Sequence, residues 1–202
     1  MFSIPKTEKE LRKRISSYRS SLNKEKKSYG YISDGTGKRY LLFYLYFVLN
    51  DLAKSESYFD WYQKEFPGDS GEPVQKLCWA ISLNRMGRDL EAKYMLGQTM
   101  LSNLYLLPFT IGEPVEEYDI WHSSNFDQID YVNHTPDEVI DNITKNEVTW
   151  IETLYKSFEF RRIRKRYIEI YHELQNTKEI EARRELLKES YSLLESLHGH
   201  SK

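Results

Sequence analysis

Sliding the sequence by 37 residues lays one helix-turn-helix pattern over another, with Asn50-Asp51 falling on Gly87-Arg88 and Phe59 on Leu96. A period of this length marks a supersecondary unit that cannot bury its apolar side alone, so neighbouring units must stack. Segments that alternate apolar and polar residues with period two are nearly absent, which removes the strand alternatives. The expected fold is all-α.

Helix boundaries are well punctuated. A basic amphipathic helix over 6–28 carries Leu11, Ile15, Tyr18 and Leu22 at spacings of four, three and four. After a glycine-containing loop, Lys38–Leu49 and Leu52–Glu65 read as two helices parted by Asn50-Asp51, with Pro67-Gly68 ending the second. Pro73 suits a first helical turn and opens a helix to Met86; Gly87 separates it from Asp89 to about Ser102. Residues 104–133 hold Pro108, Gly112 and Pro114 with Tyr118, Trp121, Phe126 and Tyr131, and read as a long loop or broken helix.

Further along, Thr135-Pro-Asp-Glu138 and Thr144-Lys-Asn-Glu147 have the form of N-cap, first turn and capping glutamate. They predict a short helix and then a longer one to about Lys156. A helix from near Ser157 to Leu174 would bury Phe158, Ile163 and Tyr167. A last one, capped by Asn176 to Glu179, would bury Ile180, Leu187, Tyr191, Leu194 and Leu197.

The two central units resemble the tetratricopeptide (TPR) repeat. In residues 36–69, Leu42 and Tyr46 stand at its large positions, Asn50 at the turn, Ser55 at the small position, Phe59 at a large one and Pro67 at the terminal proline. In residues 73–106 the equivalent residues are Trp79, Ala80, Leu83, Gly87, Ala92 and Leu96. Phe43, Arg39, Lys76 and Leu104 depart from the pattern. The resemblance implies one helical domain over 1–202. Its parts would be a basic helix in 1–30, repeats in 36–106, an acidic-aromatic loop in 107–135 and helices in 136–198 that cap the stack or complete a degenerate third repeat. It further implies a concave groove lined by Tyr40, Tyr44, Phe47, Leu77, Ile81, Asn84 and Arg85, filled by the C-terminal helices or by a partner segment. Tyr40 and Tyr44 stand where members that clamp acidic tails carry lysine and asparagine, which argues against that role.

Composition narrows the function classes. With 40% apolar and 14% aromatic residues the chain can fill a core. The longest apolar run, 40–49, falls far short of the ~20 residues that span a bilayer, so no membrane association is expected. The charged N-terminus lacks a secretory pattern, and a single cysteine, Cys78, suits a reducing compartment. Both point to the cytoplasm and make the sequons at Asn133 and Asn142 coincidental. Nine Lys or Arg against three Glu lie between Lys6 and Lys27, whereas nine acids and no Lys or Arg lie between Lys93 and Lys145. Opposite blocks of this kind are expected to face each other.

Candidate chemistry is sparse. Gly35-Thr-Gly-Lys38 suggests a phosphate loop, but Ile32 and Arg39 occupy places that need glycine and Ser or Thr. A turn in which Asp34 or Thr36 caps the next helix is expected instead. Cys78 reads as a buried small hydrophobe, and His122 with Asp119 and Asp127 reads as a solvated loop before it reads as a metal site. No catalytic residue, cofactor or metal is expected. Arg161, Arg162, Arg164, Lys165 and Arg166, with the basic N-terminal helix, could contact nucleic-acid phosphates, or could pair with the acidic region. The favoured expectation is a non-catalytic scaffold that binds a protein segment in the apolar groove, with a nucleic-acid-associated factor as the alternative.

Overall fold

The computed structural model describes residues 3–197, and its described residues are all-α with no strand. Ten α-helices follow in order: α1 Glu8–Tyr29, α2 Lys38–Leu49, α3 Leu52–Glu65, α4 Pro73–Arg85, α5 Asp89–Ser102, α6 Leu106–Thr110, α7 Asp137–Asp141, α8 Lys145–Tyr155, α9 Phe158–Asn176 and α10 Ile180–Ser192. Short 3₁₀ turns occupy Asn125–Asp127, Ile129–His134 and Glu195–Leu197. No helix among the described residues is long and apolar enough to cross a membrane.

The glycine-rich loop before α2 is a cap. Asp34 is buried and accepts from the backbone N–H groups of Lys38 at 2.9 Å and Arg39 at 2.8 Å, two donors that the first turn of α2 leaves without helical partners. The carboxylate of Glu25, on α1, accepts from Ser33 N at 3.1 Å and so ties the loop to the preceding helix.

Each central pair reverses through a left-handed residue, Asn50 at φ 54° and Gly87 at φ 73°. Gly87 needs no side chain there, and the Arg88 N–H closes the end of α4 on Leu83 O at 3.0 Å. Capping is reciprocal at α4, where Glu72 accepts from Gln75 N and the Gln75 side chain accepts from Glu72 N. The small residues Ser55, Ala80 and Ala92 are buried, as are the large residues Leu42, Phe59, Leu83 and Leu96. Phe43 stacks on Phe59 with ring centroids 5.3 Å apart and meets Trp79 at 5.2 Å, so the oversized residue of the first unit forms the aromatic joint to the second.

The main core runs from Leu11, Ile15 and Leu22 of α1 through α2–α5 to Val139, Ile151, Phe160 and Ile163. A second cluster joins Leu104 and Ile120 to Tyr167, Ile170, Tyr171 and Leu174. The region after α5 is tied down by its backbone. Asn103 Nδ2 donates to Phe126 O at 2.7 Å, and Trp121 N to Tyr171 O at 2.9 Å. At Gly97 a Cβ would stand 2.5 Å from a Leu197 methyl carbon, so the missing side chain lets the C-terminal turn close on α5.

Three sequence expectations need correction here. Phe158 is 78% exposed while Phe160 is fully buried. Nine residues separate Phe158 from Tyr167, about two and a half helical turns, which puts them on opposite faces. Thr135 does not cap α7. Its hydroxyl has no hydrogen-bond partner, and Pro136 O accepts the first α7 amide bonds instead. Nor does a side chain cap α10; Arg183 donates to Leu174 O at 2.5 Å and to Thr177 O at 3.0 Å, closing the α9–α10 turn from inside.

Candidate functional site

The expected groove is closed by the chain itself. Phe47, Leu77 and Ile81 are at most 2% exposed and Tyr44 is buried, its hydroxyl donating to the Glu72 carboxylate at 2.5 Å. Tyr40 and Asn84 are half-buried, and the Tyr40 hydroxyl donates to Asp69 at 2.8 Å.

The closing element is residues 129–155. Tyr131 Oη accepts from Val74 N at 3.2 Å, α7 lies against α2, and Val139 and Ile151 join the same core. Arg85, expected to orient a partner, instead donates to Glu147 at 2.6 Å and to Asn142 O at 2.8 Å. It also reaches Asn50 Oδ1 at 3.0 Å and lies 4.4 Å from the Phe47 ring centroid. Glu147 in turn completes the capping box of α8 with Thr144. Burial would raise the Glu147 carboxyl, but the bonds from Arg85 and Thr144 outweigh it and hold the pKa below its ordinary value. An apolar face of this size finds its cover inside the molecule.

The basic block is partly consumed. Arg164 lies 3.9 Å from the Tyr155 ring centroid and donates to Tyr155 O at 3.2 Å. Arg166 pairs with Glu189 at 2.6 Å and Glu173 at 3.2 Å, and Lys165 reaches Glu169 at 3.9 Å. These partners lie in α9 and α10, not in the acidic 113–141 region that was expected to face the block. Among the described residues that region pairs Glu113 with Lys156 at 2.7 Å, and Asp119 Oδ2 lies 3.8 Å from His172 Nδ1. Arg161, Arg162 and Lys165 remain exposed. In the basic α1, Arg12 is shared by Glu8 and Asp51, and Lys26 is held by Glu65.

Asp119, His122 and Asp127 do not converge. Asp119 turns to His172 and Gln175, whereas Asp127 accepts from Ser123 and Ser124. Cys78 is buried, and burial pushes its thiol well above its ordinary value.

What stays open is the outer face of α10. Ile180 is 76% and Tyr191 77% exposed; Leu187, between them on the same side at spacings of seven and four, is half-buried and packs against the second cluster. This stripe flanks an open groove of about 1380 Å³ whose other walls include Glu173 of α9, Thr177 just beyond its end and Arg184 of α10.

No family model, curated protein or solved structure matches this chain. The reading therefore rests on the residues. Of the apolar stripe expected to be buried here, Leu197 is buried and Leu187 and Leu194 pack against the core, whereas Ile180 and Tyr191 are exposed. The side of α10 turned inward carries Arg183, Leu186 and Ser190, about 60–120° round the helix from Ile180, and Arg183 and Ser190 interrupt its apolar periodicity.

Proposed function

We propose that this chain is a non-catalytic helical scaffold, TPR-like in its two central helix pairs, that binds a protein partner along the outer face of α10. The observation that carries the reading is the pair Ile180 and Tyr191, two large apolar side chains on one helix face, each more than three-quarters exposed. The partner that suits it is an amphipathic helix laid beside α10. Its apolar residues at spacings of three, four and seven would cover Ile180, Leu187 and Tyr191, while its polar flank meets Arg184 and Glu173. The closed face of α2 and α4 supports the same reading, because it leaves the scaffold's interior satisfied and moves recognition to the periphery.

The test is the double variant Ile180→Glu, Tyr191→Glu. Both positions are exposed, so stability should change by no more than about 0.5 kcal/mol per site, and loss of binding cannot be blamed on unfolding. Partners captured from native cells should be lost from the double variant and kept by Arg161→Glu, Arg162→Glu, Lys165→Glu. The opposite pattern, with nucleic acid recovered at low salt, would replace this reading with the nucleic-acid one.

A further inference from the structure

Behind the α4–α5 pair lies a second cleft, of about 630 Å³, walled by Tyr62, Trp79, Met95, Phe126, Tyr167 and Tyr171. Tyr167 and Tyr171 stack with ring centroids 4.1 Å apart. Lys76 of α4 reaches into this aromatic cleft with its stem passing over Gly71, where a Cβ would stand 3.0 Å from the lysine Cε. Its amine makes no hydrogen bond or ion pair among the described residues, although the side chain is half-buried. The charged groups that face it are already engaged. Asp69 is held by Arg39 and Tyr40, Asp127 by Ser123 and Ser124, and Glu72 by Tyr44 and Gln75.

We propose that Lys76 is a covalent binding site for a neutral aromatic aldehyde, seated between the aromatic walls and joined to the lysine as an imine. This goes beyond partner binding on α10 and does not depend on it. Charge selects the ligand class. Three carboxylates, Glu72, Asp69 and Asp127, face one amine, so an anionic aldehyde meets net repulsion. A neutral carbonyl does not meet it. Trp79 Nε1, one turn along the same helix face, is a buried donor with no acceptor among the described residues. The carbonyl oxygen of the incoming aldehyde, until it leaves as water, accepts a hydrogen bond there without displacing a protein partner.

In the reaction the amine lone pair forms the N–C bond as the carbonyl π pair moves to oxygen. The oxygen takes one proton from nitrogen and one from solvent and leaves as water while C=N forms. Nitrogen's second proton stays on the protonated imine or returns to solvent, which repays the proton taken up, and nothing is oxidised or reduced. The nucleophile is favoured by its setting. Burial lowers the Lys76 pKa to about 8, outweighing the carboxylates that oppose it. At neutral pH this leaves on the order of a few hundredfold more unprotonated amine than a lysine at its ordinary value has. Lys156, held by Glu113 and Glu152, is raised instead.

The experiment treats the folded full chain with benzaldehyde and cyanoborohydride at about pH 7.4, which reduces any imine to a stable benzylamine, and maps the modified lysines by peptide mass. Lys76 should be labelled at least about tenfold faster than the exposed Lys13 and Lys178, a margin that allows for restricted access to the half-buried amine. The preference should vanish in urea and should be lost with 4-carboxybenzaldehyde. Labelling of Lys76 no faster than Lys13 and Lys178 would overturn the proposal, as would equal labelling of Lys76 by the charged aldehyde.

Discussion

Replacing Arg85 with methionine removes the clasp that holds residues 137–155 over α2 and α4. The side chains of Arg85 and Glu147 are 14% and 9% exposed, and Glu147 Oε1 accepts from Arg85 Nε at 2.6 Å. Breaking a buried pair from one side leaves a desolvated charge and costs about 3–5 kcal/mol. The loss of the Phe47 ring contact adds to this, roughly 1 kcal/mol. Thr144 still donates to Glu147 at 2.7 Å, which partly compensates the stranded carboxylate and favours a total near about 3 kcal/mol.

Urea unfolding, followed by tryptophan fluorescence and far-UV circular dichroism, measures this directly. The double variant Arg85→Met, Glu147→Gln should recover at least about 1.5 kcal/mol of the loss, since neither charge is then buried alone. Acid should show the same pair. A carboxyl held below its ordinary value contributes stability that is complete above the unfolded pKa of 4.5 and is lost as pH falls through the folded value. The Arg85→Met chain should lose that part of its acid dependence. A cost below about 1 kcal/mol, or single and double variants that add within about 0.5 kcal/mol, would refute the clasp.

Other expected outcomes follow from the same geometry. Glu72 behaves in the opposite sense to Glu147, because burial raises its carboxyl despite the bonds from Tyr44, Gln75 and Val74. Its contribution to stability therefore falls as pH rises from the unfolded value through the folded one, and Glu72→Gln should flatten that part of a stability–pH curve. Phe160→Ala should cost about 3–5 kcal/mol in urea unfolding, whereas Phe158→Ala should stay within about 0.5 kcal/mol. Gly87→Ala, forcing a Cβ into a left-handed turn, should lower stability by about 1 kcal/mol in the same assay.

Local signals carried most of the architecture. Lys38–Leu49 and Leu52–Glu65 were legible because Asp34, Asn50, Asp51 and Pro67 punctuate both ends, and α8 because its capping box is complete. Phe158 has the apolar character of a core residue, but its angle of about half a turn from Tyr167 puts it on the solvent side. Thr135 has the composition of a cap, but the preceding 3₁₀ turn already fixes its backbone. The site was harder to read. That Tyr44, Phe47, Leu77 and Ile81 share an apolar face follows from spacing. That residues 129–155 return to cover that face depends on contacts across more than 50 positions, such as Arg85 with Glu147 and Val74 with Tyr131. No local pattern encodes those pairings. The basic block shows the same limit, since its charge was visible and its choice of Glu173 and Glu189 over the acidic loop was not.

The closure of the α2–α4 face decides where any partner can bind, and methyl-to-aromatic nuclear Overhauser effects on the intact chain measure it most directly. Val139 is fully buried on α7, which packs against α2. Its methyl groups should show cross-peaks to aromatic protons of Tyr44 or Phe47. A folded chain whose Val139 methyls show no such contact would contradict the closure and return the face to the surface as a partner groove.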